Sequence, residues 1–208
     1  MCNLYAMTAP VDAIRRLFDV AAGPVPNVPA LGSIRPTERV PVVRNSQSGG
    51  REMAMVRWGF VLPQGDKAPK PVTNARSDKV NVSPFWRNSF ESRRCLVPVT
   101  AFGEWTQSAP KILHWFRLKE AEEGLFAFAG LWRPWQGELR GERVQLETMA
   151  FLTTEPNADV RPIHPKSMPV ILRPEQYDAW LNGTPKEALE LAGPLEDGAL
   201  EVERSDRG

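Results

Sequence analysis

The residue with the most distinctive chemistry is Cys2, which directly follows the initiator methionine. If Met1 is removed, Cys2 carries both an α-amine and a thiol. An α-amine has a pKa of about 7.7–8.0, so near neutral pH much of it is unprotonated and can attack an aldehyde to give an imine. The thiol can then close onto the imine carbon as a five-membered thiazolidine, which an internal cysteine or lysine cannot form. The alternative is that Cys2 is an incidental small residue at a frayed terminus.

Two further residues could move protons. Glu104 lies among aromatic residues in Ala101–Trp105, where partial desolvation raises a carboxyl pKa toward the value that a proton shuttle needs. His164 lies in a proline-rich loop, and histidine titrates near neutral pH. The alternatives are a surface glutamate at the end of a strand and a histidine without a functional role. His114 lies on a predicted strand and is expected to be structural or exposed, and Cys95 lies in an apolar strand and is expected to belong to the core.

Basic and aromatic residues surround Asn74 and Arg76 in the sequence. Asn74 offers a donor and an acceptor, and the Arg76 guanidinium suits a phosphate. Basic residues interleaved with aromatic ones favour single-stranded nucleic acid, because the cations neutralise the backbone and the rings stack on bases. For each residue the alternative is a solvated basic face. The predicted DNA contacts are Arg76, Trp58, Trp86, Arg87, Lys70, Lys79 and Lys166.

The formal net charge of +1 hides an uneven distribution. Residues 1–100 hold 14 Lys and Arg against 7 Asp and Glu, whereas residues 101–208 hold 12 against 18. Such a split favours a polyanionic partner for the basic half, the alternative being that the two halves intermix their charges on folding. Residues 186–208 carry 7 acidic and 3 basic side chains, so we expect a positive groove and an acidic C-terminal segment away from it.

The elements that must position these residues are predicted to be mostly strands. Because strands outnumber helices, the predicted fold class is α+β, with a mixed, mainly antiparallel β-sheet core and a few flanking helices. We expect one domain over residues 1–208. Strands are predicted over 40–44, 52–60, 94–99, 112–118, 125–131 and 144–153, loops over 25–36 and 63–71, and helices from a Thr8 cap to Gly23, over 83–92, over 174–183 and after a capping box at Thr184–Glu187.

Several protein classes are excluded by what the sequence lacks. Two cysteines cannot form a disulfide framework, no apolar run is long enough to cross a bilayer, and the N-terminus lacks a signal-peptide layout. We therefore expect a cytoplasmic monomer with no membrane partner. Two histidines and two cysteines far apart give no metal-ligand spacing, and no nucleotide-binding glycine motif occurs in the sequence, so neither a metal nor a cofactor is expected.

Taken in order, six segments of the chain resemble the SOS-response-associated peptidase (SRAP) family, the abasic-site-processing proteins. Each segment is weak by itself, but their ordered occurrence from residue 2 to about residue 172 is specific. The resemblance implies a bifurcated, barrel-like sheet core. The segments are Met1-Cys2, Trp58-Gly59-Phe60, Asn74-Ala75-Arg76-Ser77, Arg94–Trp105, Phe128–Trp132, and Ile163-His164 with Met168–Leu172.

The resemblance implies a sensor of abasic sites in single-stranded DNA that acts in the DNA damage response. Such a protein removes its own initiator methionine and crosslinks to the ring-opened deoxyribose through a thiazolidine on Cys2. Asn74 would hold the N-terminus and the sugar, and Glu104 would relay protons and help reverse the crosslink. His164 would assist ring opening or strand β-elimination, which is an abasic-site lyase activity.

Three positions depart from the pattern that is common in the family. Asn3-Leu4 stand where Gly-Arg is common, and Gly103 stands where Tyr or Phe is common. The loop after His164 is one residue longer, with Lys166 in place of Arg. These departures bear on the grip on DNA and leave the four chemical residues in place.

Two other functions remain open at this point. One is a cysteine peptidase or amidase with an N-terminal nucleophile, which would turn over peptides without abasic DNA. The other is a non-catalytic single-stranded DNA-binding module, which would bind intact and abasic DNA equally well.

Overall fold

The computed structural model describes residues 2–24, 26–65, 67–139 and 141–205, which form sixteen β-strands, four α-helices and two short 3-10 turns. The strands are β1 (Tyr5–Met7), β2 (Val20–Ala22), β3 (Leu31–Ile34), β4 (Arg39–Asn45), β5 (Arg51–Trp58), β6 (Phe60–Gln64), β7 (Lys67–Val72), β8 (Asn74–Arg76), β9 (Arg94–Val99), β10 (Ala101–Trp105), β11 (Leu113–Leu118), β12 (Phe126–Leu139), β13 (Glu142–Thr154), β14 (Met168–Pro169), β15 (Ile171–Leu172) and β16 (Leu200–Arg204). The helices are α1 (Val11–Leu17), α2 (Arg87–Ser92), α3 (Tyr177–Asn182) and α4 (Pro185–Glu190).

The strands form two sheets and one separate hairpin. The first sheet has the order β16-β11-β10-β1-β3, and the second has the order β14-β13-β12-β9-β4-β5-β2, with β15 and β8 paired onto β12 and β13. Strands β6 and β7 form the hairpin. Most pairs are antiparallel, and the parallel pairs are β13–β5, β13–β8 and β2–β5. The predicted α+β class, with a barrel-like, mainly antiparallel core and a few flanking helices, is confirmed.

Aromatic rings join the two sheets. Tyr5 of β1 packs edge-on against Trp58, Phe128 and Phe151, with centroid separations of 5.1, 6.0 and 6.2 Å. All four side chains are buried. Because β1 belongs to the five-stranded sheet and the other three rings belong to the nine-stranded sheet, these contacts hold the start of the chain against the main core. Such aromatic pairs add about 0.5–1.5 kcal/mol each beyond the area they bury.

The first helix is shorter than predicted. It ends at Leu17, because Asp19 adopts a positive φ of 50° and the chain continues into β2. The proposed cap at Thr8 is also wrong, since the Thr8 hydroxyl pairs with the Thr100 hydroxyl, 3.2 Å away, instead of capping α1. The N-terminal position of α1 is Pro10, which makes no side-chain cap.

Two predicted loops contain strands. Residues 25–36 include β3, and residues 63–71 lie largely in the β6–β7 hairpin. Proline suggested a loop over 63–71, but a two-stranded hairpin consists of edge strands, where a missing N–H is tolerated. Other predictions are confirmed: the strand over 94–99 is β9, and Thr184 and Glu187 form the capping box of α4.

Within the residues that the structure describes, every helix is too short or too polar to cross a bilayer.

Gly59, between β5 and β6, is a position where a side chain is poorly tolerated. Its φ is +116°, and a Cβ there would lie 2.9 Å from the Pro71 Cβ. We expect Gly59→Ala to lower the free energy of unfolding by about 2–3 kcal/mol, measured by urea denaturation. Gly49→Ala is the matched control, because Gly49 has a φ of +93° with nothing within 4 Å, and it should cost only about 1 kcal/mol. Equal losses would show that the approach to Pro71 is unimportant.

Candidate active site

The first sheet brings the N-terminal segment against Glu104. The N–H of Gly103 donates to the Leu4 carbonyl at 2.9 Å, so the residues before β1 run antiparallel beside β10. Cys2 therefore lies next to Glu104, and the two side chains interact electrostatically. Both are buried, with 0% of Cys2 and 4% of Glu104 exposed. The thiol predicted to be the nucleophile and the carboxyl predicted to shuttle protons are thus neighbours.

His164 faces Glu104 from the loop between β13 and β14. Its Nε2 lies 3.8 Å from Glu104 Oε2, and its Nδ1 lies 2.8 Å from the Ser167 carbonyl oxygen. Because a carbonyl oxygen can only accept, the neutral imidazole carries its proton on Nδ1 and directs the lone pair of Nε2 toward Glu104. The backbone of the loop therefore sets His164 as a base that faces the carboxyl.

Burial shifts the pKa values of the two groups in opposite directions and reverses their usual order. Desolvation raises the pKa of Glu104 to about 7, and desolvation lowers the pKa of His164 below its ordinary value. The pKa of the Cys2 thiol is raised, first by burial and then by the negative charge of Glu104. Near neutral pH the site thus holds a carboxyl that can donate or accept a proton, a neutral imidazole and a protonated thiol. This is the arrangement of an acid and a base poised for pH 7.

Asn74 is oriented by two residues that the sequence did not mark as chemical, Thr73 and Asn3. The Thr73 hydroxyl lies 3.2 Å from Asn3 Oδ1 and 3.4 Å from Asn74 Oδ1, so its proton is shared between them. Asn74 Nδ2 is then a buried donor with no hydrogen-bond partner in the described part of the chain. Glu104 Oε1 is a buried acceptor that also has no hydrogen-bond partner there. Since buried polar atoms are rarely left unsatisfied, both atoms point to a ligand.

Comparison with known proteins places the chain in a family. The family model for SOS response associated peptidase (SRAP) matches residues 1–206. The chain belongs to the SRAP family. Its relatives include "Abasic site processing protein YoqW" of Bacillus subtilis (strain 168), 31% identical over 185 residues, which are 88% of this chain and 80% of that protein. "Abasic site processing protein YoaM" of the same organism is 30% identical over 88% of this chain and 79% of its own length.

Solved structures share the SRAP fold described above. A protein from Bacteroides thetaiotaomicron superposes with a TM-score of 0.83 at 21% identity, covering 99% of this chain and 93% of that one. A protein from Bordetella bronchiseptica superposes with a TM-score of 0.77 at 24% identity, covering 99% of this chain and 100% of that one. At these identities the likeness concerns the fold alone.

Two tryptophans predicted to contact DNA lie inside this SRAP domain. Trp58 is fully buried, and its Nε1–H donates to the Thr73 carbonyl at 3.1 Å. Trp86 is buried against two phenylalanine rings. Neither ring presents a face to a base in this structure, because both fill the core. Trp105 is the tryptophan that is exposed, at 40%, and it directly follows Glu104 on β10.

The predicted cations lie on the surface. Arg76 is exposed, and its guanidinium donates to both carboxylate oxygens of Asp78 at 2.8 and 3.2 Å. Asp78 therefore competes with any phosphate for Arg76. The other cations predicted to contact DNA are also exposed: Lys70, Lys79, Arg87 and Lys166.

Cys95 and the C-terminal segment complete the comparison with the sequence. Cys95 is fully buried in β9, and burial raises the pKa of its thiol, so its predicted place in the core is confirmed. The charge distribution predicted that the acidic C-terminal segment lies apart from the site. Its last strand does not, because β16 pairs with β11 in the sheet that carries Glu104. Among the residues that the structure describes, no group of three or more His, Cys, Asp or Glu is arranged to hold a metal ion.

Glu104→Gln should change how stability depends on pH. The folded-state pKa of about 7 exceeds the ordinary value of 4.5, so between these values the unfolded chain loses a proton that the folded protein keeps. Stability from this group is present below about pH 4.5 and is lost as pH rises through 7. Between pH 4.5 and 7, the free energy of unfolding of the wild type, measured by urea denaturation, should fall by on the order of 3 kcal/mol relative to that of Glu104→Gln. Glu120→Gln, at an exposed glutamate, is the control, and parallel pH profiles for the wild type and Glu104→Gln would contradict the assignment.

Proposed function

We propose that this SRAP protein recognises abasic sites in single-stranded DNA and crosslinks to them through Cys2 after Met1 is removed. The observation that carries the proposal is the buried cluster of Cys2, Glu104 and His164, with the unpartnered donor of Asn74 beside the N-terminal segment. The name of the relatives, abasic site processing protein, supports an abasic site as the substrate and a role in the response to DNA damage.

The cluster suits the formation of a thiazolidine. In the proposed reaction His164 accepts the proton of the C1′ hydroxyl and returns it to the ring oxygen of the sugar as the bond between C1′ and that oxygen breaks, which exposes the C1′ aldehyde. The Cys2 amine attacks C1′, and Glu104 in its protonated form donates to the departing hydroxyl, so that water leaves and an imine forms. The thiol sulfur then bonds to C1′ while its proton passes to the nitrogen. The balance is aldehyde plus aminothiol giving thiazolidine plus water.

The same groups can run three further reactions. Protonation of the thiazolidine sulfur by Glu104 reopens the imine, and water then releases the sugar, which reverses the crosslink. If a base such as His164 instead removes a proton from C2′ of the imine, the C3′–O bond breaks and the strand is cut by β-elimination. In the removal of Met1, the Cys2 thiol would attack the Met1 carbonyl, so that the acyl group moves from nitrogen to sulfur and the thiol proton passes to the nitrogen. Water would then hydrolyse the thioester and release methionine. Asn74 Nδ2 would hydrogen-bond the sugar oxygen in these steps.

Exposed cations support single-stranded DNA as the partner. The basic half of the sequence supplies Arg76, Lys70, Lys79 and Arg87, all of which are exposed. A flipped or single-stranded position is required, because the reacting carbon must enter a site that is nearly closed to solvent.

The central test is covalent capture of DNA. Wild-type protein whose intact mass shows loss of Met1 is incubated at neutral pH with single-stranded DNA that contains one abasic site, and a denaturing gel should show a shifted band. Cys2→Ala should abolish the band, whereas Cys95→Ala, at the other buried cysteine, should leave it. Absence of the band with the wild type would overturn the proposal. Peptide turnover without DNA would favour a peptidase, and equal affinity for intact and abasic DNA would favour a binding module.

A second test concerns Thr73 as a positioning residue. Thr73→Val keeps the shape of the side chain but removes the hydroxyl that orients Asn74. We expect the crosslinking rate at saturating DNA to fall about 10-fold, the equivalent of one hydrogen bond, with DNA affinity unchanged. Thr73→Ser should restore the rate.

Thr148→Val is the matched control for Thr73→Val, because Thr148 is also buried and its hydroxyl donates to the Arg133 carbonyl, outside the site. It should crosslink at the wild-type rate. Thermal melts show whether each variant is folded. A wild-type crosslinking rate in folded Thr73→Val would exclude the positioning role.

A further inference from the structure

One row of side chains crosses the five-stranded sheet beside the site. Glu104 of β10 lies opposite His114 of β11, and His114 lies opposite Arg204 of β16. Residues directly opposite each other in paired strands project from the same face of a sheet. Arg204 therefore projects from the face that carries Glu104, two strands away, or about 10 Å at the usual spacing of strands. The Ser205 N–H donates to the Leu113 carbonyl at 2.9 Å, so the pairing of β16 extends past Arg204.

Strand β16 sorts its charges between the two faces of the sheet. Glu201 and Glu203 lie opposite Arg117 and Trp115, and alternation along the strand puts them on the face away from Glu104. There Glu203 forms an ion pair with Arg117 at 2.5 Å. Arg204 is exposed, and among the described residues no carboxylate lies within 4.0 Å of its guanidinium. Among the described residues, strand β16 thus presents a cation without a carboxylate partner to the face of the site, and its two glutamates to the opposite face.

We propose that Arg204 binds a phosphate of the DNA strand whose sugar enters the site. The inference rests on the proposed function and names one contact that brings the strand to it. An exposed guanidinium on a paired strand suits a phosphate well. Within the described part of the chain Arg204 has no carboxylate partner to give up, whereas Arg76 and Arg117 each have one. At about 3.4 Å per stacked nucleotide, a separation of about 10 Å places the phosphate roughly three nucleotides from the reacting sugar. The contact positions the strand without reading its sequence.

The test compares two arginines on opposite faces of the same sheet. In a Cys2→Ala background, which cannot crosslink, binding to single-stranded DNA with a tetrahydrofuran abasic analogue is measured over a range of salt concentrations. Arg204→Gln should lower affinity by about 3- to 10-fold and reduce the slope of log K against log salt by about 0.7, the loss of one phosphate contact. Arg117→Gln, the same charge change on the other face, should keep the parent slope, and Arg204→Lys should keep it as well.

Shortened oligonucleotides locate the contact. The effect of Arg204→Gln should vanish when the strand on one side of the abasic analogue has fewer than about three nucleotides, and should persist when only the other side is shortened. The inference is overturned if Arg204→Gln keeps the salt slope of the Cys2→Ala parent, or if Arg117→Gln loses as much slope as Arg204→Gln. Either result leaves the proposed function intact. If the Cys2→Ala parent does not bind single-stranded DNA, the proposed function and this inference fall together.

Discussion

The packing of Tyr5 between the two sheets is the contact on which the candidate site depends. A chain terminus is ordinarily mobile, because little holds it to the rest of the fold. Here the ring of Tyr5 packs against Trp58, Phe128 and Phe151, which come from three strands of the larger sheet. Cys2 lies three residues before this anchor and is fully buried. A cysteine near the start of the chain thereby gains the fixed surroundings usually found at the centre of a domain.

Those surroundings also explain the protonation states. A carboxyl, an imidazole and a thiol enclosed together cannot all be charged without a large loss of hydration. The structure meets this constraint by keeping the Cys2 thiol protonated, His164 neutral and Glu104 near its midpoint at neutral pH. The unpartnered Nδ2 of Asn74 and Oε1 of Glu104 are further costs of the same kind. Active sites commonly retain such unfavourable groups because a bound ligand relieves them.

Local patterns in the sequence were sufficient for elements that depend on neighbouring residues. The apolar run of β9 and the Thr184–Glu187 capping box are examples, since continuous hydrophobicity and a cap are both short-range signals. The burial of Trp58 could not be predicted, because an aromatic residue among basic ones is compatible with a core or with a groove. Thr73 carried no signal beyond standing next to Asn74. The place of β16 was also hidden, since alternating charges resemble a solvated tail until the pairing partner is known.

The register of β1 has a consequence for the order of events during synthesis. Tyr5 pairs with Phe102, so the first strand leaves the ribosome nearly a hundred residues before its partner. At about 5–20 residues per second, that interval lasts roughly 5–20 s. Any processing that requires an accessible N-terminal segment belongs to this interval. Any processing that requires Glu104 beside Cys2 begins only after it. The length of chain between two paired strands thus sets how long the N-terminal segment stays accessible to other enzymes before it is enclosed beside Glu104.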